Sequence, residues 1–325
     1  MRTRLQRTRA RSSALAVGAA ALATAVVLAL PQQAGAADTS PVGFGAGTTG
    51  GGSSTAVTVT TLAAFKTAVT GDSAKVVKVN GLISLSGQVD IGSNTTVLGV
   101  GSASGFTGGG LRLKKVTNVV IRNLNISKPV APADGITVQA STKVWVDHNS
   151  FSSDRDHDKD YYDGLLDITH GSDYVTVSWN TFKDHYKGSL VGHSDSNASE
   201  DTGHLRVTYH HNYFSNVNSR IPSLRFGTGH FYDNYVVGAD TAVHSRMGAQ
   251  MFVQNNVFRS TAVAVTTSRD SDVDGYANLS GNDLGGAATE ISQVGTFTSP
   301  PYSYTAEPAS TVVASVTSGA GTGKI

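Results

Sequence analysis

Carboxylates are concentrated in one segment of this sequence, residues 154–167. The segment reads Asp-Arg-Asp-His-Asp-Lys-Asp-Tyr-Tyr-Asp-Gly-Leu-Leu-Asp. Hard divalent cations such as Ca²⁺ prefer carboxylate and other oxygen ligands. The segment is not an EF-hand, because no starting position places glycine sixth and glutamate twelfth. Its first carboxylates are expected to form a solvated acidic loop, and they are Asp154, Asp156, Asp158 and Asp160.

The last two carboxylates of the segment, Asp163 and Asp167, have a different setting. Asp167 lies in the apolar run 165–168, which predicts a strand. A carboxylate held in a strand needs a partner. Four residues of straight strand extend about 13 Å, which is too far for two side chains to reach one ion. The two carboxylates can therefore share a cation only if Asp163 lies on a turn that folds back over the strand.

A basic group lies further along the chain. Arg220 and Arg225 stand five residues apart around Pro222, and Lys187 precedes them. Guanidinium groups bind carboxylates through two parallel hydrogen bonds, so these side chains suit a substrate with repeated carboxylates. The alternative is an arginine pair that only neutralises the acidic segment.

An internal repeat must position these residues. Each unit has an apolar-x-apolar run followed by Asn-x-apolar, and the asparagines are Asn149, Asn180, Asn212, Asn234 and Asn256. They advance by 31, 32, 22 and 22 residues, so two units contain insertions. A weaker earlier copy has Leu124 in place of the asparagine. The insertions contain the acidic segment and residues 185–203, and long turns on one face of a solenoid are where a site is built.

The repeat unit predicts the fold. Its β-branched and aromatic runs, separated by Gly, Ser, Asn and Asp, indicate strands, and the advance by one unit indicates a solenoid. The predicted fold is all-β: a right-handed parallel β-helix whose long turns form a substrate groove. An antiparallel sandwich is the alternative. Stacked asparagines are expected to hydrogen bond along the coils, and the stacked interior side chains are expected to be Phe151, Phe182, Phe214 and Phe258.

The remaining segments are expected to cover this solenoid. Residues 57–69 predict a short strand and an amphipathic helix that caps the open amino-terminal end. Residues 76–101 then supply the first coils, and residues 301–325 pack along the outside. All ten histidines lie between residues 148 and 244, and most are interpreted as stacked turn or core residues rather than zinc ligands. Trp145 and Trp179 are expected at equivalent positions of successive coils.

The first 36 residues have the pattern of a secretory signal peptide, followed by a single domain at 37–325. Five arginines between residues 2 and 11 precede an Ala/Val/Leu run over 14–30 and an Ala-Gly-Ala cleavage signal at 34–36. A membrane anchor is the alternative. Loss of this leader changes the formal charge from +1 to −4. The 325 residues include no cysteine, which excludes disulfide scaffolds, thiolate metal sites and cysteine nucleophiles.

Several motifs resemble polysaccharide lyase family 1, the extracellular pectate lyases. The most specific are Val-Trp-Val-Asp-His at 144–148 and Arg-x-Pro-x-x-Arg-x-Gly at 220–227. The glycine-rich segment 43–51 and the run Val-Ile-Arg-Asn-Leu at 120–124 also match. The similarity covers essentially all of residues 38–325. Pro132 is a departure, because some members have a further calcium-binding aspartate at that place.

The resemblance implies a secreted, extracellular enzyme that cleaves α-1,4-polygalacturonate by Ca²⁺-dependent β-elimination and leaves 4,5-unsaturated oligogalacturonides. It implies Arg220 as general base, Lys187 and Arg225 as groups that hold the substrate carboxylate, and calcium ligands at Asp134, Asp163 and Asp167. An arginine that must lose its proton before it acts predicts an alkaline pH optimum. The expected partner is the pectate polysaccharide, bound by a monomer, with no nucleic acid and, after leader cleavage, no membrane.

Three other functions stay open at this point. A pectin lyase of the same fold would act on methyl-esterified chains, but such enzymes usually lack the calcium aspartates. A β-helix polygalacturonase would use two carboxylates and a water molecule. A non-enzymatic pectin-binding protein would need neither Lys187 nor the pair of arginines.

Overall fold

The computed structural model describes Met1 and residues 39–325. The predicted leader therefore lies, apart from Met1, outside the described residues, and its boundary with the domain at 37–325 stays a prediction. No helix within the described residues is long and apolar enough to cross a membrane.

Strands account for most of the regular structure in residues 39–325. The first third of the chain order is β1 (Ala56–Val59), α1 (Leu62–Val69), β2 (Lys75–Val79), β3 (Leu82–Ser84), β4 (Gln88–Asp90), β5 (Thr95–Gly99), β6 (Gly105–Thr107), β7 (Gly110–Lys114), β8 (Thr117–Arg122) and β9 (Asn125–Ser127). The second is β10 (Ile136–Gln139), β11 (Thr142–Asp147), β12 (Ser150–Ser152), β13 (Leu166–Thr169), β14 (Asp173–Ser178), β15 (Thr181–Lys187), β16 (Leu190–Val191), α2 (Ala198–Asp201), β17 (Arg206–His210) and β18 (Tyr213–Ser219). The last is β19 (Ser223–Arg225), β20 (Thr228–Tyr232), β21 (Tyr235–Val237), β22 (Thr241–Arg246), β23 (Gln250–Gln254), β24 (Val257–Arg259), β25 (Val263–Thr266), β26 (Tyr276–Ser280), β27 (Ala288–Glu290) and α3 (Ala309–Gly319).

These strands form three parallel sheets that wind around one core. The ten-stranded sheet has the order β1-β2-β5-β8-β11-β14-β17-β20-β23-β26, the eight-stranded sheet β3-β6-β9-β12-β15-β18-β21-β24, and the nine-stranded sheet β4-β7-β10-β13-β16-β19-β22-β25-β27. Three consecutive strands make one coil, such as β11, β12 and β13, and each pairs with the strand three places later. The fold is the predicted right-handed parallel β-helix, and the antiparallel sandwich is wrong.

The predicted asparagine ladder is confirmed. The Asn180 Oδ1 atom accepts hydrogen bonds from the backbone N–H of Asn149 (2.8 Å) and from its side-chain amide (3.0 Å). Asn180 Nδ2 donates in turn to Asn212 Oδ1 (3.0 Å), and the same contacts continue to Asn282. Leu124 occupies the place before the first asparagine and donates its N–H to Asn149 (3.0 Å). The ladder therefore satisfies buried backbone groups at the corner where each coil turns.

The interior holds the aromatic stack, with one correction. Phe151, Phe182 and Phe214 lie nearly parallel, with centroid separations of 4.8 and 4.6 Å. Phe258 is also buried, but Val236 lies between it and Phe214 in the strand register. The stack therefore contains three rings instead of the four expected.

The ends and outer faces are covered as predicted. Helix α1 buries Phe65 and Val69 at the amino-terminal end, and the Phe65 ring lies 4.7 Å from that of Phe106. The tail packs on the outside through α3, which the sequence did not predict; its buried residues are Val312 and Val316, which cluster with Val257.

The outer corner of the coils carries an aromatic stack of its own. The Trp179 ring lies 4.2 Å from that of His211 and 5.8 Å from that of His148, so these histidines are stacked turn residues as predicted. Trp145 pairs with Thr176 in the register, so its expected equivalence with Trp179 is wrong.

Replacing one rung of the asparagine ladder tests how much it stabilises the fold. We expect Asn180→Leu to lower the free energy of unfolding by about 2 kcal/mol or more, because it leaves buried backbone groups without partners. Asn282→Leu is the matched control, since Asn282 is half-exposed and water can replace its contacts. Chemical denaturation of both variants measures the difference; equal losses would show that the buried ladder adds nothing special.

A second buried polar residue lies where the tail docks. Asp233 is fully buried, and its Oδ2 accepts the backbone N–H of Glu307 (2.8 Å). Its Oδ1 has no hydrogen-bond partner within residues 39–325. Burial raises the pKa of Asp233 to about 8, although the Glu307 hydrogen bond opposes the rise. The folded chain therefore retains a proton that the unfolded chain loses near pH 4.

This retained proton predicts how stability depends on pH. Because the folded state binds more protons than the unfolded state between about pH 4 and pH 8, stability falls as pH rises through that window. We expect Asp233→Asn, which cannot ionise, to flatten the fall in melting temperature and to be more stable than wild type at pH 8. Asp270→Asn is the control, because Asp270 is exposed and has the same left-handed backbone. Parallel wild-type and Asp233→Asn profiles would contradict the assignment.

Candidate active site

The six predicted site residues lie on consecutive coils. They are in, or shortly before, central strands of the nine-stranded sheet. Backbone hydrogen bonds link the turns that contain them: Gly135 N–H to Gly164 O (2.9 Å), Leu165 N–H to Lys187 O (3.3 Å), and Ser189 N–H to Arg220 O (2.6 Å). Asp134 and Asp163 therefore lie next to each other, each directly before a glycine of the first hydrogen bond. Lys187 and Arg220 lie on the two coils that follow. Residues distant in sequence become neighbours because the coils stack in register.

Asp167 is the buried carboxylate of this group. It lies in β13, and its Oδ1 accepts the N–H of Leu190 (3.0 Å) on the next coil. The turn before β13 folds over it: a Cβ atom at Gly164 would come within 2.4 Å of Asp167 Oδ1. A side chain at position 164 would displace the Asp167 carboxylate, so Asp163 and Gly164 lie on a turn that folds back over the strand.

The carboxylates act on one another electrostatically. Burial, followed by the negative charge of Asp167, raises the pKa of Asp134 far above the usual carboxyl range. Burial also raises the pKa of Asp167, with the charge of Asp163 adding to the rise and those of Arg220 and Lys187 opposing it. Burial is the largest cause of both shifts, so a cation bound by these carboxylates would replace the hydration that they lose on folding.

Lys187 neutralises part of this charge. Its buried ammonium group lies 3.1 Å from Asp163 Oδ1 and 3.1 Å from Asp160 Oδ1. Asp160 is exposed, as predicted, and its carboxylate in addition pairs with Lys187.

The acidic loop is also ordered at its start. Asp154 accepts hydrogen bonds from the His157 ring (2.6 Å) and the Tyr162 hydroxyl (3.0 Å). Its carboxylate lies 3.4 Å from Lys128. Asp156 and Asp158 are exposed, as predicted. The long turn is held by its own side chains and presents Asp160 and Asp163 to Lys187.

Arg225 is held by residues that the sequence analysis did not single out. Its guanidinium contacts the Asp195 carboxylate and donates to Gly192 O (2.8 Å). Arg246, the register partner of Arg225, also reaches Asp195 (3.1 Å). The only signal for Asp195 was its place in the second insertion. Asp195 thus fixes the orientation of two neighbouring arginines.

Arg220 differs from the other two cations. It has a left-handed backbone (φ 59°) between β18 and β19 and is half-buried. Within residues 39–325 its guanidinium makes no hydrogen bond and no ion pair. Its charge nevertheless lowers the pKa of both Asp167 and Asp160. A cation that is close to the carboxylates but bound to none of them is available to a substrate.

The chemistry of the carboxylates Asp134, Asp163 and Asp167 suits a metal ion better than the distances between them do. No three His, Cys, Asp or Glu side chains in the described part of the chain converge as metal ligands. Asp163 faces Lys187, and Asp134 accepts the Thr137 hydroxyl (2.6 Å). All the donors are nonetheless carboxylate oxygens with an excess of negative charge, which suits a hard cation such as Ca²⁺.

Asp147 and His148 lie away from this site, at the carboxyl end of strand β11 in the ten-stranded sheet. The buried Asp147 carboxylate bonds Arg122 (2.5 Å), His148 (2.6 Å) and Ser178 (2.7 Å). These contacts hold neighbouring strands of that sheet together, which is a structural role.

Comparison with known proteins identifies the family of the chain as a whole. The pectate lyase family model matches residues 15–325. A probable pectate lyase A of Aspergillus niger is 49% identical over 316 residues, covering 94% of this chain and 96% of that protein. Pectate lyase B of Colletotrichum gloeosporioides is 50% identical, covering 89% and 88% respectively.

Solved structures give the same result. A pectate lyase from Bacillus sp. N165, crystallised with trigalacturonate, superposes with a TM-score of 0.80 at 34% identity, covering 87% of this chain and 99% of that one. Pectate lyase II of Xanthomonas campestris has a TM-score of 0.74 at 29% identity, covering 87% and 98%. The coil architecture, the match along almost the whole chain and the identity to these enzymes lead to one conclusion: the chain belongs to the pectate lyase family and is a polysaccharide lyase.

Proposed function

We propose that this chain is a secreted, monomeric, calcium-dependent lyase that cleaves α-1,4-polygalacturonate by β-elimination, with Arg220 as the general base. The observation that carries the proposal is the unpaired Arg220 guanidinium beside Asp167, while Lys187 and Arg225 are each held by a carboxylate. The trigalacturonate bound to the Bacillus relative supports a polygalacturonate substrate. The enzyme acts on the unesterified polymer, because its cations need free carboxylates to bind.

The residues that would hold calcium are Asp134, Asp163 and Asp167. When bound there, the ion would neutralise the carboxylates and draw electron density from a substrate carboxylate, which makes the neighbouring C–H bond more acidic. Lys187 and Arg225 add positive charge near the same position and orient the substrate carboxylate.

The proton transfer falls to Arg220. Its neutral form removes the proton from C5 of a galacturonate residue. The electron pair of that bond forms the C4–C5 double bond, and the C4–oxygen bond breaks with its electrons on the leaving oxygen, which takes a proton from solvent. The products are one chain with a new reducing end and one chain with a 4,5-unsaturated residue at its non-reducing end. Because arginine is protonated at neutral pH, the rate should rise on the alkaline side.

The first test removes the base. We expect Arg220→Ala to lower kcat by about 100-fold or more, and Arg220→Lys by a smaller factor, because general-base catalysis contributes roughly 10²–10⁴-fold. Ultraviolet absorbance of the unsaturated product on polygalacturonate and on methyl-esterified pectin is the measurement. Arg259→Ala, an exposed arginine on the eight-stranded sheet, is the control. Full activity of Arg220→Ala, or a rate maximum near pH 5, would overturn the assignment.

The second test concerns the cation. We expect Asp167→Asn to weaken calcium binding by tenfold or more in a calorimetric titration, because one charged ligand is lost. Asp156→Asn, an exposed carboxylate of the acidic segment 154–167, should bind calcium like wild type. Unchanged activity of the wild type in excess chelator would instead favour a calcium-independent pectin lyase.

A further inference from the structure

We propose that Arg155 is a positioning residue of the active site. It holds the acidic segment 154–167 against the ends of two strands, β15, which ends at Lys187, and β18, which Arg220 directly follows. The inference rests on the proposed function, because it assigns Arg155 to the geometry of that same site. It concerns how the carboxylates and the cations keep their separation, and it adds no contact with the polymer.

Arg155 lies at the start of the acidic segment, three residues after β12. Its guanidinium lies over the Tyr186 ring, with 4.7 Å between the guanidinium carbon and the ring centroid. Nη1 donates to Asn216 Oδ1 (2.8 Å), and Nη2 donates to Asn218 Oδ1 (3.1 Å). The Tyr186 hydroxyl in turn donates to the backbone carbonyl of Arg155 (3.2 Å). These four residues form the Arg155 clamp, which joins the acidic segment to the next two coils.

The Arg155 clamp lies next to two cations of the site. Tyr186 directly precedes Lys187 in β15, and Asn218 lies two residues before Arg220. A guanidinium that contacts both strands at these points holds the acidic segment against the backbone that carries both cations.

The other end of the acidic segment is bonded to the preceding coil. Tyr162 forms a backbone bridge with Val130, and the Asp163 N–H donates to Pro129 O (3.0 Å). Between the two attached ends, residues 156–161 are exposed. The segment is therefore tied to coils on both sides, and the Arg155 clamp makes the tie on the side of the two cations.

Arg155 acts through its geometry more than through its charge. Asp154, its neighbour in the chain, pairs with Lys128 and His157 instead (3.4 and 2.6 Å). Both hydrogen bonds of the Arg155 guanidinium go to neutral amides, and its third contact is the face of a ring. A planar guanidinium can make these three contacts together, whereas an ammonium group lacks the plane and the fixed fork. Lysine at this position would keep the charge and lose the geometry.

The clamp matters because the site combines groups from different coils. The ammonium group of Lys187 lies 3.1 Å from Asp163 Oδ1, across the boundary between two coils. A shift of the acidic segment by about 1 Å would change the separation between its carboxylates and Arg220, and a misplacement of that size can cost about 100-fold in rate. Arg155 therefore supports the reaction only through the residues that it positions.

The first measurement is the turnover of Arg155 variants on polygalacturonate. We expect Arg155→Ala to lower kcat by about tenfold or more and to change KM less, because misplaced groups slow the chemical step. Arg155→Lys should recover only part of this loss. Lys183→Ala is the matched control, since Lys183 lies on the same strand as Tyr186 and its ammonium lies over the Tyr213 ring (5.7 Å). This variant removes a cation from another tyrosine of the same sheet and should match wild type.

The second measurement follows the acidic segment without substrate. A lysine-specific protease can cut after Lys159, which is exposed. We expect this cut to be about fivefold faster or more in Arg155→Ala, because cleavage follows the population of the opened segment. Calcium binding in a calorimetric titration should weaken by about threefold or more, because the ion must then order the segment. A loss of kcat that follows a lower denaturation midpoint, with Lys159 cut at the wild-type rate, would contradict a positioning role.

Asn218→Ala tests the clamp from its other side, and it keeps the test decisive if Arg155→Ala does not fold. It removes one of the two amides and leaves Arg155 in place. We expect a smaller loss of kcat than in Arg155→Ala, and no further loss when the two substitutions are combined, because both break the same contact. Losses that simply add would show that Arg155 does not act through Asn218.

The outcomes separate the clamp from the proposed function. Wild-type kcat and wild-type cleavage at Lys159 in Arg155→Ala would overturn the clamp and leave the lyase proposal intact. Full activity of Arg155→Lys would also overturn it, because charge alone would then suffice. A wild type that releases no unsaturated product would overturn the lyase proposal, and cleavage at Lys159 would still decide whether Arg155 holds the acidic segment.

Discussion

The stacking of coils in strict register is the constraint on which every other feature depends. Between the two end coils, each strand bonds to the strand three places later, so side chains at matching positions recur about every 4.8 Å along the helix axis. In the interior this spacing places equivalent side chains of successive coils in direct contact. The buried asparagines meet it by hydrogen bonding to one another, and the phenylalanines by stacking their rings. On the outer face the same spacing brings residues from different repeats into one row. The site is a consequence of the solenoid, since no single coil contains it.

The same register concentrates charge. Asp134, Asp163 and Asp167 come from two coils, yet they are close enough for each to perturb the ionisation of the group. Two kinds of contact offset the repulsion: Lys187 binds Asp163 and Asp160, and backbone N–H groups bind Asp163 and Asp167. The remaining negative charge makes a cation the natural complement of this edge, and the free Arg220 lies at its border.

The periodic part of the fold could be predicted from the sequence because each coil obeys a local rule. The Asn-x-apolar signal located the corners, and alternation located the strands. Helix α3 was not predicted, because Val312 and Val316 are buried only through their contact with Val257 on a strand that is distant in sequence. Phe258 was misplaced although the repeat at Asn234 already has Val236 at the equivalent position, between Phe214 and Phe258.

The candidate site was predictable only in part, for a related reason. The motif residues Arg220 and Arg225 could be identified by type and spacing. The carboxylates that hold Lys187, Arg225 and Arg246 could not be identified in this way. Asp160 is 27 residues from Lys187, and Asp195 lies 30 residues from Arg225 and 51 from Arg246. Such pairings form across insertions whose path no periodic rule describes. The roles of the six residues stay predictions, although their closeness is a property of the fold.

Net charge is a poor guide to this molecule because its charges are segregated. With its leader removed the chain would have a formal charge of −4, which by itself argues against a polyanionic partner. Yet Arg112, Arg225 and Arg246 belong to strands of the nine-stranded sheet, and Lys187 and Arg220 lie at its edge. Most of the acids near them are already occupied by these cations. These ion pairs cancel much of the local charge, so a cation added among Asp134, Asp163 and Asp167 would make this face positive. The local field, and not the total charge, therefore decides what binds.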